Sequence, residues 1–207
     1  MDYKAKLLQT LPTMDGWCDP AKANHAFDMV VAKDPSLIVE IGVFAGRSLI
    51  AFALGLEQVG REGTVVYGVD PWAASDAICN NEGEAVTTEW WNNVDYNRMK
   101  LQCQSVVNQL GVTDRVRLVQ KSSVEAYADI PGEINMLHID GNHSQWDSCR
   151  DVTVWVDRVK TGGIIYLDDE DWASTKNAQE LLELKCKKLG VIKSTNECGF
   201  YEKLGPL

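Results

Sequence analysis

The feature that most constrains this chain is an alternation. Five short apolar runs, SLIVEI (36–41), GTVVYGVD (63–70), RVRLVQ (115–120), INMLHID (134–140) and GGIIYLDD (162–169), are separated by segments of helical character. The runs are rich in β-branched residues, as strands buried on both faces are. Helices are expected over 20–33, with Asp19 as N-cap and Pro20 at the first position, and over 46–59, 97–110, 122–129 and 144–159. A further helix over 175–190 would end at Gly190, and VIKST (191–195) with GFYEK (199–203) reads as a closing hairpin. Repeated strand–helix units imply a parallel sheet with helices on both faces. The expected fold is therefore α/β: a Rossmann-like, seven-stranded, mostly parallel sheet with a C-terminal antiparallel hairpin. It would form one domain over 1–207, with an N-terminal segment (1–35) and an insertion (71–96).

Composition narrows the partners. The 207 residues suffice for one sizeable α/β domain and are few for two. The formal net charge of -10 argues against a nucleic-acid binder, which needs a basic face to meet phosphates. No start combines a basic stretch with an apolar core, and no apolar run approaches membrane-spanning length. The six cysteines are Cys18, Cys79, Cys103, Cys149, Cys186 and Cys198, and none shows CxxC spacing. Reduced, mostly buried thiols in a cytoplasmic protein are expected, rather than a zinc site or a disulfide framework.

In a sheet of this kind, ligands sit at the carboxyl ends of the strands. After the first run comes EIGVFAGRS, which places Glu40, Gly42, Phe44, Gly46 and Ser48 on a strand-to-helix turn. Glycines there admit a ligand close to the backbone, and the helix N-terminus offers free N–H groups. The dinucleotide fingerprint G-x-G-x-x-G is not met, because Phe44 stands where the second glycine belongs. Asp70 ends the second run, where an acid can accept from ribose hydroxyls. Ser122 and Ser123 follow the third; they could cap the next helix or face an adenine. Asp140 and His143 follow the fourth, and Asp168 and Asp169 the fifth. Three carboxylates converging at one rim need a positive partner, and oxygen ligands suit a hard divalent ion, Mg²⁺ first, then Mn²⁺ or Ca²⁺. The alternative is a solvated acidic run that caps the following helix.

VEIGVFAGRS, YGVDPW, LHIDGNH and GGIIYLDDEDW together resemble class I S-adenosylmethionine-dependent methyltransferases, over about residues 37–170. The nearest subgroup is the metal-dependent O-methyltransferases, which include catechol enzymes and the antibiotic-sugar enzymes of the macrocin and mycinamicin type. The resemblance implies that Glu40, Gly42 and Gly46, with Phe44 between them, form the first cofactor motif. It implies that Ser48 holds the methionine carboxylate, Asp70 the ribose, and that Ser123 and Asp140 also lie against the cofactor. Asp140, Asp168 and Asp169 fall on the metal-binding positions. His143 falls on the general-base position, where the catechol enzymes carry a lysine and the sugar enzymes a histidine. The 71–96 insertion has no catechol-type counterpart, and the N-terminal segment is short.

The implied reaction is in-line methyl transfer to a hydroxylated small molecule, such as a sugar or catechol-like metabolite. A metal would position the hydroxyl, and His143 would remove its proton. Trp72, Trp90 and Trp91 in the insertion, with Trp17, would wall the acceptor pocket as a lid; the bland alternative is that they anchor a long loop. Two rival readings remain, an NAD-linked oxidoreductase and a non-catalytic cofactor-binding protein of the same fold. A homo-oligomer is left open.

Overall fold

The computed structural model describes residues 2–77 and 85–205. Part of the 71–96 insertion, Cys79 among it, lies outside the described residues. Seven strands form one sheet: β1 (Leu37–Ile41), β2 (Val65–Val69), β3 (Val116–Val119), β4 (Ile134–Ile139), β5 (Val159–Leu167), β6 (Cys186–Ile192) and β7 (Cys198–Lys203). Their order is β3-β2-β1-β4-β5-β7-β6. β7 pairs antiparallel with both β5 and β6, and the pairs among β1 to β5 are parallel. The closing hairpin thus slots its second strand into the sheet.

Period-two alternation assigns each strand residue to a layer. Ile38, Val66, Met136, Ile164 and Tyr166 face the first layer. It contains α1 (Tyr3–Thr10), α2 (Pro20–Lys33), α3 (Arg47–Val59) and α6 (Tyr96–Leu110). Val39, Ile41, Leu137, Ile139, Ile165 and Leu167 face the second. There α7 (Ser123–Ala126), α8 (Gln145–Trp155) and α9 (Lys176–Glu183) pack around Trp155 and Leu182. The insertion contributes α4 (Ala74–Ala77) and α5 (Ala85–Asn92). As expected, Asp19 caps α2, accepting from the N–H groups of Ala21 and Lys22, with Pro20 at the first helical position.

Helix α7 is shorter than expected, α8 ends at Trp155 with β5 beginning at Val159, and the largest difference lies after α9. The helix expected over 175–190 stops at Glu183, and Gly190 lies inside β6, opposite Phe200 at a register shift. CKKLG fits a period of two as well as one of 3.6, and β7 needs a partner on its far edge. Strand pairing therefore outweighs local helical preference.

β1 and β4 are neighbours although their chain connections run in opposite directions, so the crevice beyond their carboxyl ends is the sheet's switch point. Asp140 N donates to Ile41 O at 2.8 Å and Asp168 N to Ile139 O at 3.0 Å, which aligns the three strand ends.

Candidate active site

A cavity of about 990 Å³ opens at these strand ends. One side is the turn between β1 and α3. Gly42 has φ +85°, and a Cβ there would lie 1.9 Å from Asp140 O. Gly46 has φ +90°, and its Cβ would meet Cys103 Sγ at 2.7 Å. The first glycine lets β1 close on the end of β4; the second lets the start of α3 pack on α6. Asp70 holds the turn: Val43 N and Phe44 N each donate to Oδ2 at 2.9 Å, and Trp72 N donates to Oδ1 at 2.6 Å. Burial pushes the Asp70 carboxyl up, against the three N–H donors that favour its charge. α3 begins at Gly46 without a side-chain cap, so its leading N–H groups open on the cavity beside Ser48.

Gly42, Phe44, Gly46, Ser48, Asp70, Ser123 and Asp140 all line the cavity, but Glu40 does not. Glu40 is wholly buried; it accepts from Ser48 Oγ and lies 3.0 Å from His138 Nδ1. Its place is behind Ser48, where it orients the hydroxyl. Ser122 caps α7 in a capping box with Glu125, and Ser123 Oγ donates to buried Asp151. The capping role left open from sequence falls to Ser122, and both serines line the cavity.

The opposite side is the acidic rim. Asp140, Asp168 and Asp169 do converge. His143 Nε2 lies 2.8 Å from Asp169 Oδ2 and 3.6 Å from Asp140 Oδ1. One ligand atom from each of Asp140, His143 and Asp169 lies within 4.8 Å of the others, and the same holds for His138, Asp140 and Asp168. Asp169 takes φ +54°, a costly conformation for a non-glycine residue, held here at a cavity corner. Its Oδ1 is buried without a hydrogen bond of good geometry, although Asn196 lies near enough to favour its charge.

Burial and the repulsion of Asp168 and Asp169 drive the Asp140 carboxyl well above the usual range, with Lys22 opposing. Burial would lower the His143 imidazole, but the hydrogen bond and charge of Asp169 outweigh it and raise it above its ordinary value. Asp169 is held below its ordinary value by His143, against burial.

The rim already contains one cation. Lys22 Nζ lies 2.5 Å from Asp168 Oδ1, with both side chains under a tenth exposed. Burial alone would favour a neutral amine; the attraction of Asp168 overrides it and keeps the ammonium charged. Lys22 and His138 are charged or titratable residues of the rim that sequence reasoning missed, and each left a trace. A lysine in the first turn of a helix opposes the macrodipole and calls for an anionic partner. His138 sits between Leu137 and Ile139, and β1–β4 register sets it opposite Glu40.

Aromatic rings close the cavity. Trp17 packs on Phe44 and on Trp90, with ring centroids 5.2 Å apart in each case, and Trp90 meets Trp91 at 4.7 Å. These three tryptophans line the cavity, as do Trp146 and Trp172, which were not anticipated. Trp172 stands 5.4 Å from the His143 ring. Trp72 does not belong to the wall. It is buried, and its Nε1–H donates to Phe44 O at 2.8 Å. The turn at Asp70 and a φ of +46° direct its indole into the core, where it anchors the loop.

Residues 39–170 match a protein family described as a methyltransferase domain. The chain belongs to this family. The matched span runs from within β1 to just past β5, and so takes in both sides of the cavity. Solved structures share the fold. They include cofactor-bound Rv0187 from MTB (TM-score 0.69, 13% identity, covering 100% of this chain and 91% of that one). An O-methyltransferase from Bacillus cereus in complex with SAH has a TM-score of 0.64 at 13% identity, covering 98% and 91%. TomG from Streptomyces achromogenes, an O-methyltransferase of tomaymycin synthesis in complex with SAM, gives 0.65 at 13%, covering 99% and 91%. A curated relative, the uncharacterized protein y4gI of Sinorhizobium fredii, is 26% identical over 144 residues; the methyltransferase's matched region spans 14% of its length. Among the described residues no helix is long and apolar enough to cross a membrane.

Proposed function

We propose that this methyltransferase moves a methyl group from S-adenosylmethionine to a hydroxyl oxygen of a small molecule, with His143 as general base. The observation that carries the reading is the Asp169–His143 pair, at 2.8 Å, on the wall of a cavity that also contains the glycine turn. With Nε2–H donating to Asp169, the tautomer leaves Nδ1 as the nitrogen that accepts the hydroxyl proton. The oxygen forms its bond to the methyl carbon as the carbon–sulfur bond breaks, and the sulfonium charge is quenched. The open N-terminus of α3 and Ser48 suit the methionine carboxylate. Asp70 spends three acceptor positions on backbone N–H groups, so it shapes the turn and retains limited capacity for a ribose hydroxyl.

A divalent ion fits the rim. Asp140 and Asp169 supply the hard oxygen donors, and Asp169 divides its atoms suitably, Oδ2 facing His143 and Oδ1 lacking a good partner. When bound, such an ion would lower the pKa of the acceptor hydroxyl. Trp172 beside His143 gives the acceptor a flat apolar surface, which suits a phenolic ring or the apolar face of a sugar.

Calorimetry with S-adenosylhomocysteine, followed by methyl-transfer assays on catechols and sugars, tests the reading. Binding of the cofactor product and turnover on at least one hydroxylated acceptor are expected. No heat with either S-adenosylmethionine or S-adenosylhomocysteine would overturn it.

A further inference from the structure

We propose that Lys22 is a resident cation of the acidic rim, holding Asp168 out of the divalent-ion donor set and thereby weakening the hold on any such ion. The inference rests on the methyltransferase reading of the site and concerns a residue of the other layer. Lys22 projects from the first turn of α2, whose N-terminus is fixed by Asp19 and Pro20. Its ammonium is 2.5 Å from Asp168 Oδ1, and the same oxygen accepts from Asp169 N at 3.1 Å. Asp168 therefore has its charge already matched. Of the two overlapping clusters, the one containing His138, Asp140 and Asp168 is the one Lys22 enters. Its histidine is also engaged, through Nδ1, with Glu40. In the cluster of Asp140, His143 and Asp169 the ammonium acts only from a distance, and Asp169 Oδ1 there lacks a hydrogen bond of good geometry. A divalent ion thus meets two carboxylates, both beside His143, instead of three, and a fixed positive charge behind them. Both differences oppose it.

The test is calorimetric titration of Mn²⁺ into the full chain and three variants, with S-adenosylhomocysteine binding measured in parallel. Lys22→Met leaves Asp168 unpaired and available, and is expected to tighten Mn²⁺ binding by about tenfold, within the usual span of coupling between neighbouring sites. Lys22→Arg keeps the charge and is expected to bind as the unaltered chain does. The pair variant Lys22→Met/Asp168→Asn removes both charges without leaving either unpaired, which guards against a folding failure of the single variant. It is expected to retain the unaltered chain's Mn²⁺ affinity. Two results would overturn the proposal: Lys22→Met binding Mn²⁺ no more tightly than the unaltered chain, or the pair variant losing Mn²⁺ while still binding S-adenosylhomocysteine. Absence of S-adenosylhomocysteine binding in every protein, with the Mn²⁺ pattern intact, would instead sink the methyltransferase reading and leave the role of Lys22 standing.

Discussion

The two sides of the cavity treat their acids in opposite ways. On the β1–β2 side, Asp70 accepts three backbone N–H groups and Glu40 is engaged by Ser48 and His138. On the β4–β5 side, Asp140, Asp168 and Asp169 face one another, with Lys22 and His143 balancing them among the described residues. On the first side the carboxylates hold the turn and Ser48, with Glu40 Oε2 alone left without a hydrogen bond among their oxygens. On the second side burial, joined by the charge of Asp168 and Asp169, raises Asp140, and Asp169 raises His143 against burial. A turn that must fit a cofactor needs rigidity, and a rim that must move a proton needs groups able to change state.

Breaking the rim should cost the most in rate. His143→Ala is expected to lower kcat by about 10²–10⁴-fold, the usual contribution of a general base, with S-adenosylhomocysteine affinity within about threefold of the unaltered chain. Steady-state kinetics and calorimetry on the same preparation would check the split. Equal losses in both would move His143 from the chemistry to the cofactor.

Breaking the turn should cost stability and binding together. Gly42→Ala places a methyl against Asp140 O and an L side chain at φ +85°, so a loss of about 2–4 kcal/mol is expected. Chemical denaturation would measure it. An unaffected midpoint would mean that β1 and β4 can part without penalty.

A smaller effect sharpens the comparison through pH. The protonated imidazole of His143 is favoured by Asp169, so the pair's stabilisation is complete below about pH 6.5, the ordinary histidine value, and fades as pH rises through the raised folded value. Catalysis needs the neutral ring and runs the other way: kcat/KM should climb with pH through an apparent pKa above that ordinary value. Asp169→Asn should move the inflection down. A profile that ignores this substitution would show that the titrating group is not His143.

The smallest expected effects separate the tryptophans. Trp17→Ala should raise the acceptor KM by several-fold with little change in the melting temperature, because its ring is half-exposed at the cavity mouth. Trp72→Ala should do the reverse, costing about 3–5 kcal/mol as a buried aromatic truncation does. Melting curves beside acceptor saturation curves would decide between a wall and an anchor for each.

The strand ends were legible because each apolar run is interrupted by residue types a strand does not need, such as Asp140 after Ile139 or Asp168 after Leu167. The alternation of layers was legible for the same reason. Lys22 was not, since pairing with a residue 146 positions later is a property of the folded sheet and α2 reads as an ordinary amphipathic helix. Trp72 was misplaced because composition suggests an aromatic pocket without saying which ring a turn will direct inward. The start of β6 was missed because its neighbour is the strand that follows it. For Lys22 and Trp72 the deciding feature is a remote partner or a backbone torsion.

The position of β7 has a consequence for the order of assembly. Glu170, directly after the rim acids, donates its N–H to Glu197 O, and β5 gains its second neighbour only from Cys198–Lys203. A chain emerging from the ribosome builds its glycine turn early, yet cannot brace the acidic rim until those residues have been synthesised. The edge of β5 beside the acidic rim is thus covered by the closing hairpin and not by the strands that carry the acids.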